Sequence, residues 1–160
     1  MRSRVCALAV AVLGVTCDGD GQGAGSGARN DASSSCDGRG EALHPGFVRI
    51  SSGGYIFELV DLMPEAPVLS QSRPGNVWQL RISDPGGAPV EGAALSVRTF
   101  MPDHNHSGPS AVGIEQAPGA YLVEDLLLPM PALYSITLSA SLPAGEETVD
   151  YSICVSAETG

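Results

Sequence analysis

The sequence predicts an all-β protein: a single immunoglobulin-like β-sandwich of about seven strands, preceded by a signal peptide and a flexible tether. Short runs of alternating apolar and polar residues recur from Arg49 onward, at the strand spacing of a sandwich. The chain holds 12 prolines and 20 glycines in 160 residues, which favour turns and disfavour helices. No segment shows a convincing helical period.

The first three strands are predicted from this alternation. In YIFELVD (55–61), the apolar ring of Phe57 falls on the opposite side from Glu58. NVWQLRIS (76–83) is a clean half-buried strand, and Trp78 on its apolar side is the natural core aromatic. The turn cluster DPGGAPVEGA follows, and ALSVRTF (94–100) then resumes the alternation.

The last four strands are predicted as two pairs. SAVGIEQ (110–116) and AYLVEDL (120–126) flank Ala-Pro-Gly at 117–119, which is typical of a hairpin. LYSITLSAS (133–141) and ETVDYSICV (147–155) are separated by a second Pro-Gly turn segment. The strands should therefore pack around one core.

The N-terminus has the layout of a secretion signal, predicted over residues 1–16. Arg2 and Arg4 precede an apolar run that is shorter than the roughly 20 residues needed to span a bilayer. The following LGVTC resembles a bacterial lipobox, although Thr16 stands where a smaller residue is usual. We expect Cys17 to be lipidated; the alternative is an ordinary signal peptide cut nearby, which leaves Cys17 free.

The chain after Cys17 divides into a tether and a domain. Residues 17–35 are rich in Gly, Ser, Ala and Asp and have no large apolar side chain, so they should form a flexible tether. Residues 36–160 are long enough for one domain with one core. The formal net charge of −10 argues against nucleic acid and anionic lipid headgroups as partners. We expect an exported periplasmic or cell-surface bacterial lipoprotein whose only membrane contact is its lipid anchor.

Two of the four cysteines are predicted to form a disulfide. Cys6 leaves with the signal peptide and Cys17 carries lipid, so Cys36 and Cys154 remain at opposite ends of the domain in an oxidising compartment. A bond between them would be worth roughly 4 to 5 kcal/mol in the chain-entropy model. The alternative is a pair of buried free thiols.

The stretch FMPDHNHSGPS concentrates metal-binding side chains. His104 and His106 are two apart, so in an extended segment both imidazoles face one side. Met101 is an odd number of positions from both histidines, so in extended chain its side chain faces the other side. For a sulfur to join the imidazoles, Pro102 must turn the chain or Met130 must supply it from a neighbouring strand. Two imidazoles with a thioether favour copper, especially Cu(I).

Other roles for this stretch remain open. Asp103 is an alternative oxygen ligand, or the acceptor that fixes a histidine tautomer. Its neighbours are also ordinary turn residues, so both histidines could be solvated loop side chains. No nucleophile elbow or comparable constellation accompanies Asp103 and His104, and the third histidine, His44, suggests no role. We therefore expect a protein that is not an enzyme.

The stretch of residues 75–140 begins at Gly75 and reads NVWQLRISDPGGAPVEGAALSVRTFMPDHNHS…GAYLVEDLLLPMPALYSITL after that glycine. This stretch resembles the YtkA-like domain family. That family shares a P-V-x-G-A turn, an MPxHxH-type segment, a G-x-Y hairpin and an MP-x-x-W strand start, where this chain has Tyr134 in place of Trp. The resemblance implies an extracytoplasmic β-sandwich, sometimes linked to copper handling, and does not imply an enzyme.

Together, the residues and the resemblance predict a copper site formed by Met101, His104, His106 and Met130. The alternative prediction is a structural or protein-interaction β-sandwich in which the histidines are incidental. The two predictions differ in whether the imidazoles lie close to a methionine sulfur or point apart into solvent.

Overall fold

A computed structural model of the chain describes residue 36 and residues 38–157, and the strands in this part account for the fold. The predicted signal peptide, the tether and Cys17 lie outside the described residues. The nine strands are β1 (Phe47–Ile50), β2 (Ile56–Met63), β3 (Asn76–Ser83), β4 (Ala94–Met101), β5 (His106–Ser107), β6 (Ala111–Ala117), β7 (Ala120–Leu126), β8 (Ala132–Leu142) and β9 (Gly145–Val155).

The all-β prediction is confirmed, and each of the seven predicted strands is present within two residues of its expected bounds. The two additional strands are β1 and the two-residue β5. The predicted inward face of β3 is correct: Trp78, Leu80 and Ile82 are buried, while Gln79 and Arg81 are exposed. Burial of alternate side chains is what fixes the face of such a strand.

The strands are hydrogen-bonded in the order β1-β2-β3-β7-β6-β4-β8-β9, with β5 beside β4, and every pairing is antiparallel. The sheet nearly closes on itself, because its two terminal strands, β1 and β9, approach each other. The inward side chains of all the longer strands form one core, as in a β-sandwich.

The segment before β1 fills the seam between β1 and β9. The backbone N–H of Glu41 donates to the carbonyl of Ser152 at 2.6 Å, and the N–H of Ser152 donates back to the Glu41 carboxylate at 3.0 Å. Arg49 of β1 pairs with Glu41 and also donates to the carbonyl of Asp150 in β9. The outer backbone groups of β9 are therefore partly covered.

The expected disulfide joins Cys36 to Cys154, with the two Cα atoms 5.8 Å apart. It ties the entry of the domain to the last strand, and both partners are separated by 118 positions in the sequence. Gly40 lies against this bond, because a side-chain carbon there would come within 2.7 Å of the Cys154 nitrogen. The first residues of the domain are thus held on β9.

Strand directions bring the chemistry-bearing segments to one end of the sandwich. Because β4 and β8 are antiparallel neighbours, the end of β4 at Met101 and the start of β8 at Ala132 lie side by side. The end of β9 at Val155 lies there too, since Val155 pairs with Ala132. We call residues 101–107 and 128–131, which extend from this end, the histidine rim.

Candidate metal centre at the histidine rim

The histidine-bearing segment is a tight hairpin, so the same-side rule for extended chain does not apply to it. Residues 102–105 form a turn, in which the amide of His104 donates to the Met101 carbonyl at 3.2 Å. Asn105 has a φ of 51°, a left-handed conformation that Asn tolerates better than most residues. The chain then returns along β4, and His106 pairs with Met101.

A glycine allows this hairpin to fold back closely. The amide of Gly108 donates to the carbonyl of Thr99 at 3.0 Å, and a side-chain carbon at Gly108 would lie only 2.4 Å from the Thr99 hydroxyl. That hydroxyl donates to the carbonyl of Pro109, so it cannot move away without losing a bond. The glycine therefore helps fix where the two histidines stand.

The two imidazoles of the rim lie near each other even though the segment turns. The ring centroids of His104 and His106 are 6.0 Å apart, and both side chains are exposed. Nδ1 of His106 lies 3.0 Å from the carbonyl oxygen of Ser107. A carbonyl only accepts, so Nδ1 carries the hydrogen in this contact and Nε2 keeps its lone pair for a metal.

Asp103 is held by an arginine that sequence reasoning did not connect with this site. Arg39 donates to both carboxylate oxygens of Asp103, at 3.0 and 2.6 Å. These hydrogen bonds hold the pKa of the Asp103 carboxyl below its ordinary value. The carboxylate is therefore engaged with a guanidinium.

Met101 occupies the position expected for it, at the end of β4, but its side chain is fully buried and belongs to the core. Directly opposed residues of antiparallel strands project to the same side, which places Met101 beside the exposed His106. Met63 also ends a strand near this end, but it is exposed and pairs with Val77, whose side chain points outward from the sheet. Met63 therefore points away from the sandwich interior.

Met130 precedes β8 and is half-buried against the core. Its backbone is hydrogen-bonded to Tyr134 in both directions. The Met130 N–H donates to the phenol oxygen at 3.2 Å, and the phenol donates to the Met130 carbonyl at 2.9 Å. Burial raises the pKa of Tyr134 by more than this hydrogen bonding lowers it. The phenol accordingly keeps its proton and donates at neutral pH.

The described residues contain no group of three or more His, Cys, Asp or Glu side chains that could hold a metal ion. Among the described residues, the rim offers two neighbouring imidazoles together with the thioethers of Met101 and Met130. Such a donor set excludes the carboxylate cages that suit calcium or magnesium and the four-ligand Cys and His cages of structural zinc.

Two contributors to the rim were missed by sequence reasoning. Arg39 lies 64 positions before Asp103, and its proximity to the disulfide partner Cys36 was the only available signal. Tyr134 was noted only as an aromatic that replaces Trp, and nothing in the sequence indicates where its hydroxyl points. The Arg39 contact spans 64 positions, whereas Tyr134 is only four positions from Met130, but both contacts depend on side-chain directions that the fold sets.

The comparisons with known proteins agree with the predicted family. The sequence profile described as YtkA-like matches residues 53–139, more than half of the chain, and this range includes β2 to β7 and most of β8. No curated protein and no solved structure matches the chain. Within residues 38–157, no helix is long and apolar enough to cross a membrane.

Proposed function

Because this chain belongs to the YtkA-like family, we propose that it is an extracytoplasmic, lipid-anchored β-sandwich module that binds copper at the histidine rim. The observation that supports this most directly is the pair of exposed imidazoles of His104 and His106, 6.0 Å between ring centroids. They stand at the end of the sandwich where Met101 and Met130 also lie.

The donor chemistry of the rim fits Cu(I) better than other common metals. Imidazole nitrogen and thioether sulfur are ligands that together favour copper in its reduced state. Among the described residues, zinc would lack thiolate or additional imidazole ligands at the rim, and the Asp103 carboxylate is occupied by Arg39. His104 and His106 would each supply a nitrogen, and Met130 would supply the first sulfur.

The two methionines would contribute differently. Met130 is half-buried on a loop of the rim, and its flexible side chain leaves the thioether free to turn. Met101 is fully buried beside His106, and its thioether would have to leave core contacts to bind a metal. We therefore assign Met130 as the principal sulfur ligand and Met101 as the second, and expect Met101→Leu to weaken binding less than Met130→Leu.

The copper proposal is tested by titrating the mature chain with Cu(I) against a competing chelator. The disulfide is left oxidised, and Cys17→Ser is present throughout so that the protein is soluble and has no free thiol. Wild-type rim residues should bind tighter than micromolar, and affinity should fall as the solution is acidified, because a protonated imidazole cannot bind a metal. His104→Ala/His106→Ala should abolish binding and Met130→Leu should weaken it.

A matched control in this titration is Met63→Leu. Met63 shares the Met-Pro context of the other two methionines, but it is exposed on the outside of the sheet. This substitution should leave Cu(I) affinity unchanged. Equal binding by all variants, or no binding tighter than micromolar, would remove the metal function.

The anchor and the location rest on the N-terminal pattern. A lipid on Cys17 followed by a polar tether would hold the folded domain clear of the membrane surface. In a bacterial host, the wild-type protein should fractionate with membranes, and Cys17→Ser should release it. Recovery of wild-type protein in a soluble form that begins after Cys17 would contradict the anchor.

A second candidate function, protein interaction, is favoured by apolar side chains on the outside of the sheet. Val112 and Ile114 of β6 are 65% and 56% exposed, and Phe100 of the neighbouring β4 is 39% exposed. Exposed apolar groups of this size on adjacent strands are typical of contact surfaces. The copper titration separates the candidates, because an interaction module needs no affinity for metal.

A further inference from the structure

A short loop of the rim is held by one tyrosine hydroxyl. The segment Pro129-Met130-Pro131 contains a single backbone N–H, that of Met130, because proline has none. Tyr134 accepts that N–H at 3.2 Å and donates its own hydrogen to the Met130 carbonyl at 2.9 Å. One phenol thus satisfies both backbone groups of the residue that carries the sulfur.

The tyrosine itself is firmly placed. Its side chain is fully buried, and its backbone lies in β8 opposite Ile153 of β9. Ser135, the next residue, pairs with Phe100, so Tyr134 takes the register position beside Met101 at the end of β4. A buried ring on a strand that is paired on both sides is a rigid support for the loop to which its hydroxyl bonds.

We propose that Tyr134 is the positioning residue of the rim: its hydroxyl fixes the Met130 backbone so that the thioether is presented to His104 and His106. This inference rests on the proposed copper function. The physical reason is entropic, because a loop already held in its binding conformation loses less freedom when the metal binds. Without the hydroxyl, Met130 must be ordered by the metal itself.

Upstream of Met130, Ser70 also holds this loop. Ser70 bonds to Leu128 through both its backbone N–H and its hydroxyl, at 2.9 and 3.0 Å. These contacts end two residues before Met130, and the proline between them donates nothing. The orientation of Met130 itself is therefore the property that depends on Tyr134.

The test is Tyr134→Phe, which deletes the hydroxyl and keeps the ring. Two readouts are needed on the mature Cys17→Ser protein: hydrogen exchange of the Met130 amide without metal, and Cu(I) affinity by chelator competition. We expect exchange at Met130 to accelerate by about tenfold or more and Cu(I) to bind about tenfold more weakly, in line with the loss of one or two hydrogen bonds. In a Met130→Leu background, Tyr134→Phe should cause no further loss of affinity.

Tyr121→Phe is the matched control. Tyr121 is also a buried tyrosine whose hydroxyl bonds to backbone on both sides, donating to Val90 and accepting from Ala93. It lies on β7, near the turn at Gly119, at the opposite end of the sandwich from the rim. This substitution should also lower stability but should leave both Met130 exchange and Cu(I) affinity unchanged.

The outcomes separate this inference from the function it rests on. If wild type binds Cu(I) and Tyr134→Phe binds it equally well, the positioning role is refuted while the copper function stands. An equal loss in the Met130→Leu background, or an unchanged Met130 amide, refutes it as well. If wild type binds no Cu(I), the function and this inference fall together, and amide exchange still reports whether the hydroxyl holds the loop.

Discussion

The disulfide between Cys36 and Cys154 should supply a large fraction of the stability of this domain. The perturbation is the double substitution Cys36→Ser/Cys154→Ser, which removes the bond and leaves two small polar side chains. The partners are 118 positions apart, so the bond closes nearly the whole domain into one loop of the unfolded chain. The bond restricts the unfolded ensemble more than a short-range disulfide would.

The magnitude follows from the loop length. For a closed loop of 118 residues, the chain-entropy relation gives a stabilisation of about 5 kcal/mol at 25 °C. Native domains unfold with roughly 5 to 15 kcal/mol in total. Loss of the bond should therefore remove a third or more of the stability, and at the lower end of that range it would leave the domain largely unfolded.

Urea denaturation followed by the fluorescence of the single tryptophan, Trp78, measures this effect. Trp78 lies in the core beside Tyr151, with ring centroids 6.1 Å apart, so its emission should change on unfolding. With a slope of about 1 to 3 kcal/mol per molar urea, the midpoint should fall by roughly 2 M or more. Wild-type protein reduced with a phosphine should match the double mutant.

A midpoint that shifts by less than about 0.5 M would refute the reasoning, because it would mean that the unfolded chain gains little freedom when the bond is cut. A mutant that loses stability while reduced wild type does not would assign the effect to side-chain packing at Cys36 and Cys154 and not to the covalent bond. Both results are visible in the same experiment.

Three further predictions concern the sheet and the rim. Gly113→Ala should destabilise the fold by about 1 to 3 kcal/mol in thermal melts, because its new carbon would lie 2.4 Å from the Leu95 side chain. Arg39→Gln should raise the pKa of Asp103 toward 3.8 in a carboxyl NMR titration. Because the pKa of Asp103 is lower in the folded state than in the unfolded state, the ion pair stabilises the fold at pH values above the unfolded-state pKa. That stabilisation is lost as the pH falls through the folded-state pKa. Asn76→Ala should cost about 2 to 3 kcal/mol in urea unfolding, because the hydrogen bonds of the buried amide to three backbone groups and one hydroxyl are lost.

The strands could be predicted because their signal is local. Alternation of apolar and polar residues is set by the two faces of a half-buried strand, and seven segments carried it. β1 was missed because Val48 and Ile50 are apolar yet exposed, so its four residues do not alternate in polarity. β5 was missed because its two residues pair only as a result of the turn that precedes them.

The rim could be predicted in part. The clustering of His104 and His106 marked the segment, and strand order then brought it to the same end as Met130. The turn at Asn105 and the burial of Met101 could not be predicted from the alternation of side chains, because that rule applies only to extended chain. Arg39 binds Asp103 from 64 positions away, so no local sequence pattern marks the pair. The contact of Tyr134 with Met130 depends on the direction of its hydroxyl, which the sequence does not indicate.

The segment that fills the seam has a consequence for association between copies of the chain. A terminal strand normally presents unpaired N–H and C=O groups on which another polypeptide can add a strand, the usual start of sheet aggregation. At Ser152, those groups on β9 are already taken by Glu41, and Arg49 places a charge across the gap to Asp150. The Cys36–Cys154 bond holds this cover in place, so cutting it should open a templating edge as well as loosen the fold.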